Sequence, residues 1–269
     1  MYTLRMEIEN ALKEKGYECP IVYDDENHSY TRRVDGKLYA GCSTISECYP
    51  KDYLIKWATK LGYEYALEKW DVQRVYTEFE KRTLLTESRY AYKREQQEAM
   101  RIGTKIHNWI ENHIKLGVDG PIDEELERPI RLFLEWESKN IDKWLASEML
   151  VHSESMEVAG RLDAIARFKD GLIGIVDYKT STSISPSYSL QTAGYSECLK
   201  EMGWPIDLRM VLRIPKTLVR KVWDEQKKRY YVEENNLEPR IIMTNIEKDL
   251  FVFKSMIPVF WWMKENNIK

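Results

Sequence analysis

The chain has 269 residues, 43% of them hydrophobic and 32% charged, with a formal net charge of −3. Such a length and balance describe a soluble globular protein with ample material for a core and no global attraction for polyanions. Cys19, Cys42, Cys48 and Cys198 are scattered without a C-x-x-C pair, which argues against a zinc ribbon and against a disulfide framework.

The opening MYTLRMEIENALKEKG reads as a charged amphipathic helix rather than a signal peptide, so the expected compartment is cytoplasmic and reducing. Residues 21–40 suggest a small hairpin turning at Asp35-Gly36. Ser43, Thr44 or Ser46 is expected to cap a short helix, and Pro50-Lys51-Asp52 to open the next. In that helix Trp57 and Leu61 read as core of a helical cap in preference to a base-stacking surface.

Residues 86–117 read as one long helix with Ile102, Ile106, Trp109, Ile110 and Ile114 at helical spacing. His107 and His113 fall within it. His113 reads as a surface residue, whereas Gly103 one turn before His107 allows that part of the helix to approach a sheet. Residues 81–105 carry seven basic side chains, among them Arg94, Arg101 and Lys105, against three acidic ones. They suit either a phosphate-facing ridge or a solvated face with ion pairs such as Arg94–Glu98. A second helix is expected over residues 124–146, followed by a strand that has Glu148 at its start.

Residues 160–181, GRLDAIARFKDGLIGIVDYKTS, form the centre of the chain: two apolar runs joined by Lys169-Asp170-Gly171, a turn signal. If the loop is residues 169–171, Phe168 pairs with Leu172 and Asp163 falls opposite Asp177. A two-residue loop would separate the two acids. Asp177 and Lys179 share a face at roughly 6–7 Å by strand rise. Opposed carboxylates in a sheet require a compensating cation, which Lys179 and a hard divalent ion such as magnesium or manganese would supply. The alternative is a charged sheet edge, but both acids are embedded in apolar runs, where charges are usually paired or metal-bound.

Past the hairpin, a polar loop leads at about Ser187 into a helix where Gln191 and Tyr195, four apart, share one face. Residues 206–215 read as another core strand. A hairpin around Asp224-Glu225 follows, with Arg220, Lys221, Lys227 and Lys228 interleaved with Val222, Trp223, Tyr230 and Tyr231, suited to tracking a nucleic-acid backbone or to plain solvation. The last helix is expected to open on the box Thr244-x-x-Glu247 and to bury Phe260-Trp261-Trp262. Its apolar stretch, residues 250–263, is too short to span a bilayer.

Gly160-x-x-Asp163, Asp177-x-Lys179 and Gln191-x-x-x-Tyr195, preceded by Gly103-Thr104-x-x-His107, together resemble the signature of the PD-(D/E)xK nucleases, specifically the RecB-like branch of phage and mitochondrial exonucleases. Leu162 stands where the superfamily name has proline. The resemblance implies an α/β fold with a restriction-endonuclease-like core: a mixed central sheet of four or five strands flanked by helices, with a helical N-terminal elaboration. With no internal repeat, low-complexity tract or flexible linker, the sequence reads as a single domain, with residues 1–100 as elaboration, 101–216 as catalytic core and 217–269 as basic hairpin and terminal helix. One or two magnesium or manganese ions would be held by His107, Asp163, Asp177 and the carbonyl of Tyr178, with Glu111 and Glu148 as accessory residues. Asp163, Asp177, Lys179, Gln191 and Tyr195 would form the catalytic set, the last two holding the lysine and the DNA backbone. The iron–sulfur cluster of some relatives is not expected, since only Cys198 lies downstream of the core.

The implied activity is exonucleolytic hydrolysis of DNA to 5′-phosphates in recombination, repair or phage DNA processing. Competing readings are an inactive nucleic-acid- or protein-binding module and an RNA-directed nuclease. DNA is the expected partner and no membrane is expected; a homo-oligomer or a recombination partner protein stays open.

Overall fold

The Asp170-Gly171 turn closes as its chemistry demands. Gly171 takes φ 89°, Asp170 Oδ1 accepts from the Leu172 amide at 3.1 Å, and the Phe168 amide donates to the Leu172 carbonyl at 2.8 Å. The structure, a computed structural model, describes residues 19–204, 206–224, 226–243 and 247–268. The expected helix at residues 1–16 and the expected box at Thr244 lie outside the described residues.

In chain order, β1 (Ile21–Asp24), β2 (Ser29–Arg32) and β3 (Leu38–Gly41) make two hairpins, the second turning at Asp35-Gly36 as expected. Helix α1 (Cys42–Ser46) follows. Gly41 is its N-cap, so Ser43, Thr44 and Ser46 lie inside the helix instead of capping it, and Ser46 Oγ donates back to the Ser43 carbonyl. Next come α2 (Asp52–Lys69), α3 (Glu78–Arg89) and α4 (Ala91–Leu116). The single helix expected over residues 86–117 is therefore two. Thr77 and Glu80 form a reciprocal capping box for α3, and Tyr90 leaves helical geometry between α3 and α4.

A short 3-10 turn, Glu124–Leu126, precedes α5 (Glu127–Asn140) and the long strand β4 (Ile141–Ser153). The helix expected to reach residue 146 stops at Asn140, because residues 141–146 pair with β5 (Val158–Phe168) and bury Ile141, Trp144, Leu145 and Ala146. Glu148 consequently sits inside β4 and not at its start. After β5 come β6 (Ile173–Lys179), α6 (Pro186–Glu201), β7 (Leu208–Arg213), the hairpin β8 (Val219–Asp224) and β9 (Arg229–Glu234), β10 (Glu238–Met243) and α7 (Glu247–Glu265).

The chain divides into two compact units. The larger, residues 1–48 and 106–269, is built on an eight-stranded mixed sheet ordered β1-β2-β3-β5-β6-β7-β10, with β4 pairing β5. The count exceeds the expected four or five because the N-terminal hairpins and β10 join the core strands. Leu162, Ile165, Ile175, Val176, Val211 and Leu212 are fully buried in it, each worth roughly 1.5–3 kcal/mol of apolar transfer. Phe253 of α7 is buried against α6, at the position of Gly194. Of the aromatic triplet expected in the core, Phe260 and Trp261 are half-buried and Trp262 is 58% exposed.

The smaller unit, residues 49–105, packs α2 on α3. Ser88 Oγ donates to the Gly62 carbonyl at 2.6 Å, and Trp57 meets Tyr92 edge to face. Within it Arg94 lies over the Tyr65 ring, and Glu98 pairs with Arg101 rather than Arg94.

The sheet leaves one opening. Along one edge of β5, β4 pairs from Val158 to Phe168, with register shifts between Ile141 and Lys143 and between Trp144 and Ala146. The other edge is taken by β3 at Val158 and Ala159 and by β6 from Ala164 to Arg167. Residues 160–163 therefore have no ladder on that edge.

Candidate active site

The β5–β6 register has the sum expected from a three-residue loop, with Ala164 paired to Val176, and the ladder ends there, one step before Asp163 and Asp177. The strands part, and Asp163 bridges the opening: its Oδ2 accepts the Tyr178 amide at 2.7 Å. One turn of α4 lies alongside, with His107 Nδ1 3.9 Å from Asp163 Oδ2 and the His107 ring edge-on to Tyr178. Burial lowers the pKa of His107, against the pull of Asp163, and so favours the neutral, ligating form of the imidazole.

Asp177 is fully buried. Lys179 Nζ stands 2.7 Å from its Oδ2, yet neither carboxylate oxygen receives a well-directed hydrogen bond. Burial pushes this carboxyl up to about 7, against the pull of Lys179 and with repulsion from Asp163 adding to the rise. On Lys179 burial acts against the charge, but Asp177 and Asp163 outweigh it and hold the ammonium above its usual range. Its Nζ also lies 5.2 Å from the Tyr188 ring centre.

Glu148 lies between the pairs Ser147–Ala164 and Met149–Leu162, which sets it opposite Asp163. Its φ is 52°, strained for a non-glycine residue within a strand. Burial pushes its carboxyl up to about 7, helped by Asp163, while Arg161 opposes from 2.8 Å. Glu111 is occupied by Lys115 one turn on.

The helix side of the site explains the glycine of the motif. A Cβ on Gly160 would lie 2.4 Å from Tyr195 Cε1, so only glycine lets the α6 ring approach. Tyr195 donates to the Arg161 carbonyl at 3.1 Å, meeting an acceptor that the missing ladder leaves over, and Gln191 Nε2 donates to Tyr195 Oη at 2.8 Å. Gln191 and Tyr195 thus share a face as expected, but their bonds run to each other and to β5, not to Lys179.

Of the expected site residues, the structure gathers His107, Glu148, Asp163, Asp177, Tyr178 and Lys179 around the opening. Arg94, Arg101 and Lys105 belong to the smaller unit. Lys227 and Lys228 are exposed at the turn of the β8–β9 hairpin, and the side chains of Arg220 and Lys221 lie outside the described residues. The sequence pattern does not single out Arg161 or Tyr188; helical spacing from Gln191 is the one signal that would have suggested Tyr188. His113, expected at the surface, is only 16% exposed. Its Nε2 lies 2.9 Å from Glu137 and its Nδ1 2.9 Å from Asp119, and it stacks on Trp109.

No group of three or more His, Cys, Asp or Glu side chains among the described residues forms a ready-made metal cage. The donor set nevertheless fits a hard divalent ion of the kind bound through one or two carboxylates plus substrate oxygens. Two buried carboxylate oxygens of Asp177 lack hydrogen bonds, Asp163 is near enough to repel their charge, and His107 Nδ1 lies 3.9 Å from Asp163 Oδ2.

A family model of the PD-(D/E)XK nuclease superfamily matches residues 87–240, more than half of the chain, and the protein belongs to that superfamily. Its mixed α/β sheet flanked by helices agrees with the superfamily's restriction-endonuclease-like fold. Members are nucleases that typically use divalent metal ions. No curated protein sequence matches the chain. No helix among the described residues is long and apolar enough to cross a membrane.

Proposed function

We propose that the protein is a magnesium- or manganese-dependent deoxyribonuclease of the RecB-like branch, cutting DNA from its ends to leave 5′-phosphates in recombination, repair or phage DNA processing. The observation that carries this reading is the Asp177 carboxylate, buried without directed hydrogen bonds beside an ammonium and a second carboxylate. Such an arrangement is costly to a fold and is compensated when a cation binds.

Asp163, Asp177, the Tyr178 carbonyl and the neutral imidazole of His107 would hold the ion. When bound, a divalent ion lowers the pKa of water and polarises the phosphate. Lys179 then points its charge at the scissile phosphate and offsets the negative charge that grows there, a contribution on the order of 3 kcal/mol. Its position is set by Asp177 and by the Tyr188 ring. Tyr195 and Gln191 act indirectly, by fixing the strand on which Asp163 stands. End-directed cutting is favoured over site-specific cutting because the RecB-like branch mostly degrades ends.

The test offers end-labelled DNA, internally labelled DNA and RNA to wild type and Lys179→Ala with magnesium or manganese. Wild type is expected to release nucleotides from DNA ends, with the variant slowed about 10²–10³-fold. Binding without cutting by both proteins would make this an inactive module; preference for RNA would redirect the activity.

A further inference from the structure

On the sheet face that carries Asp177 and Lys179, two strands further along, is a cleft that the active site does not use. Its place follows from two registers. Asp177 pairs with Val211 of β7, which pairs with Arg240 of β10; Lys179 pairs with Arg213, which pairs with Glu238. Residues in register across a sheet project from one face, and strands lie about 4.8 Å apart, so Arg240 stands roughly 10 Å from Asp177 on the same side. That side is covered by α6: Tyr188 lies under Lys179, and Arg209 of β7 donates to the Ser189 carbonyl at 2.7 Å.

The cleft is open to solvent, has a volume of about 430 Å³ and is lined by Ser183, Ile184, Glu238, Pro239 and Arg240. The charge of Glu238 is engaged by the buried guanidinium of Arg213 at 3.0 Å. Arg240 is exposed and makes no ion pair among the described residues, and Ser183 is exposed beside it. Among the described residues β10 is the last strand of the sheet on this side.

We propose that Arg240 and Ser183 form a phosphate subsite for the substrate strand, beyond the phosphate cut at Asp177 and Lys179; the inference rests on the nuclease reading. A guanidinium grips a phosphate through paired N–H donors and a serine hydroxyl adds a third. Contacts of this kind set the register of a strand without reading its bases. In a chain of net charge −3, a polyanion needs such local cations.

The test places Arg240→Ala and Arg240→Lys in a Lys179→Ala background, which preserves the substrate, and follows fluorescence anisotropy of labelled single-stranded and duplex DNA and RNA from about 50 to 200 mM salt. Arg240→Ala is expected to weaken binding about three- to tenfold and to reduce the slope of log affinity against log salt by about 0.9. Arg240→Lys is expected to keep the slope. Unchanged affinity and slope in Arg240→Ala overturn the subsite while leaving the nuclease reading intact, and weaker binding with an unchanged slope overturns the phosphate contact. A Lys179→Ala protein that binds neither DNA nor RNA overturns the subsite and the nuclease reading together.

Discussion

The amide of Tyr178 donates to Asp163 Oδ2 at 2.7 Å, where the ladder between their strands has already ended. A side chain thus replaces a backbone carbonyl as the link between β5 and β6, and an acid of the site doubles as a structural acceptor. Asp163→Ala is expected to lower stability by about 1–3 kcal/mol through the unpaired amide, whereas Asp163→Asn retains an oxygen acceptor and recovers most of that loss. Neither is expected to restore cutting. Urea unfolding beside a cleavage assay checks both halves; equal stability of the two variants would contradict the structural role.

Asp177 sets the pH response of the metal-free protein. Burial raises its pKa to about 7 from an ordinary value of 3.8. The folded state therefore holds a proton that the unfolded chain releases, so this contribution is full below about pH 4 and is lost as pH rises through about 7. In EDTA, Tm is expected to fall across that window for wild type and to fall less for Asp177→Asn, which becomes the more stable protein at pH 8. Magnesium or manganese at pH 8 is expected to raise Tm in wild type only. Parallel pH profiles for the two proteins in EDTA would refute the assignment.

Gly160 and Tyr195 form a tight pair. Gly160→Ala drives a methyl to within 2.4 Å of the Tyr195 ring and is expected to cost about 1–3 kcal/mol by overpacking. Combining it with Tyr195→Leu should cost less than the sum of the single changes, because the obstructing ring edge is gone. A double-mutant cycle in urea measures the coupling, and strict additivity would mean the backbone shifts to absorb the methyl.

His113 holds α4 to α5 through Glu137, which also accepts from Trp144 Nε1. Burial acts against its charge, but Glu137 and then Asp119 outweigh that and raise its pKa above 6.5. The stabilisation is fully present below about pH 6.5 and fades as pH rises through the elevated value. The urea midpoint of His113→Gln should consequently trail wild type most near pH 5.5 and least near pH 9. A gap independent of pH would show that packing alone is involved.

Much of this was legible in the residues. Asp170-Gly171 marked the turn but left a two- and a three-residue loop open, and the structure takes the three-residue register as far as Ala164 and Val176. The end of that ladder was not legible, because it depends on β3 reaching β5 only at Val158 and Ala159, a contact between segments more than a hundred residues apart. The run Ile141-Asp142-Lys143-Trp144-Leu145 suits either a helix or a strand, and its pairing with β5 decides for the strand. His113 lacked a sequence signal because Glu137 and Asp119, which enclose it, come from a different helix and from the loop after its own.

The unladdered stretch at residues 160–163 gives the molecule an aperture whose width is governed by strand splay, not by any loop. Lengthening the turn at residues 169–171 would leave that width alone, since four rungs from Ala164 to Arg167 stand between the turn and the acids. One extra residue between Gly160 and Asp163 would move the carboxylate off the Tyr178 amide and pull Tyr195 from its carbonyl in the same stroke. Variation is cheap at the hairpin tip and intolerable at its mouth.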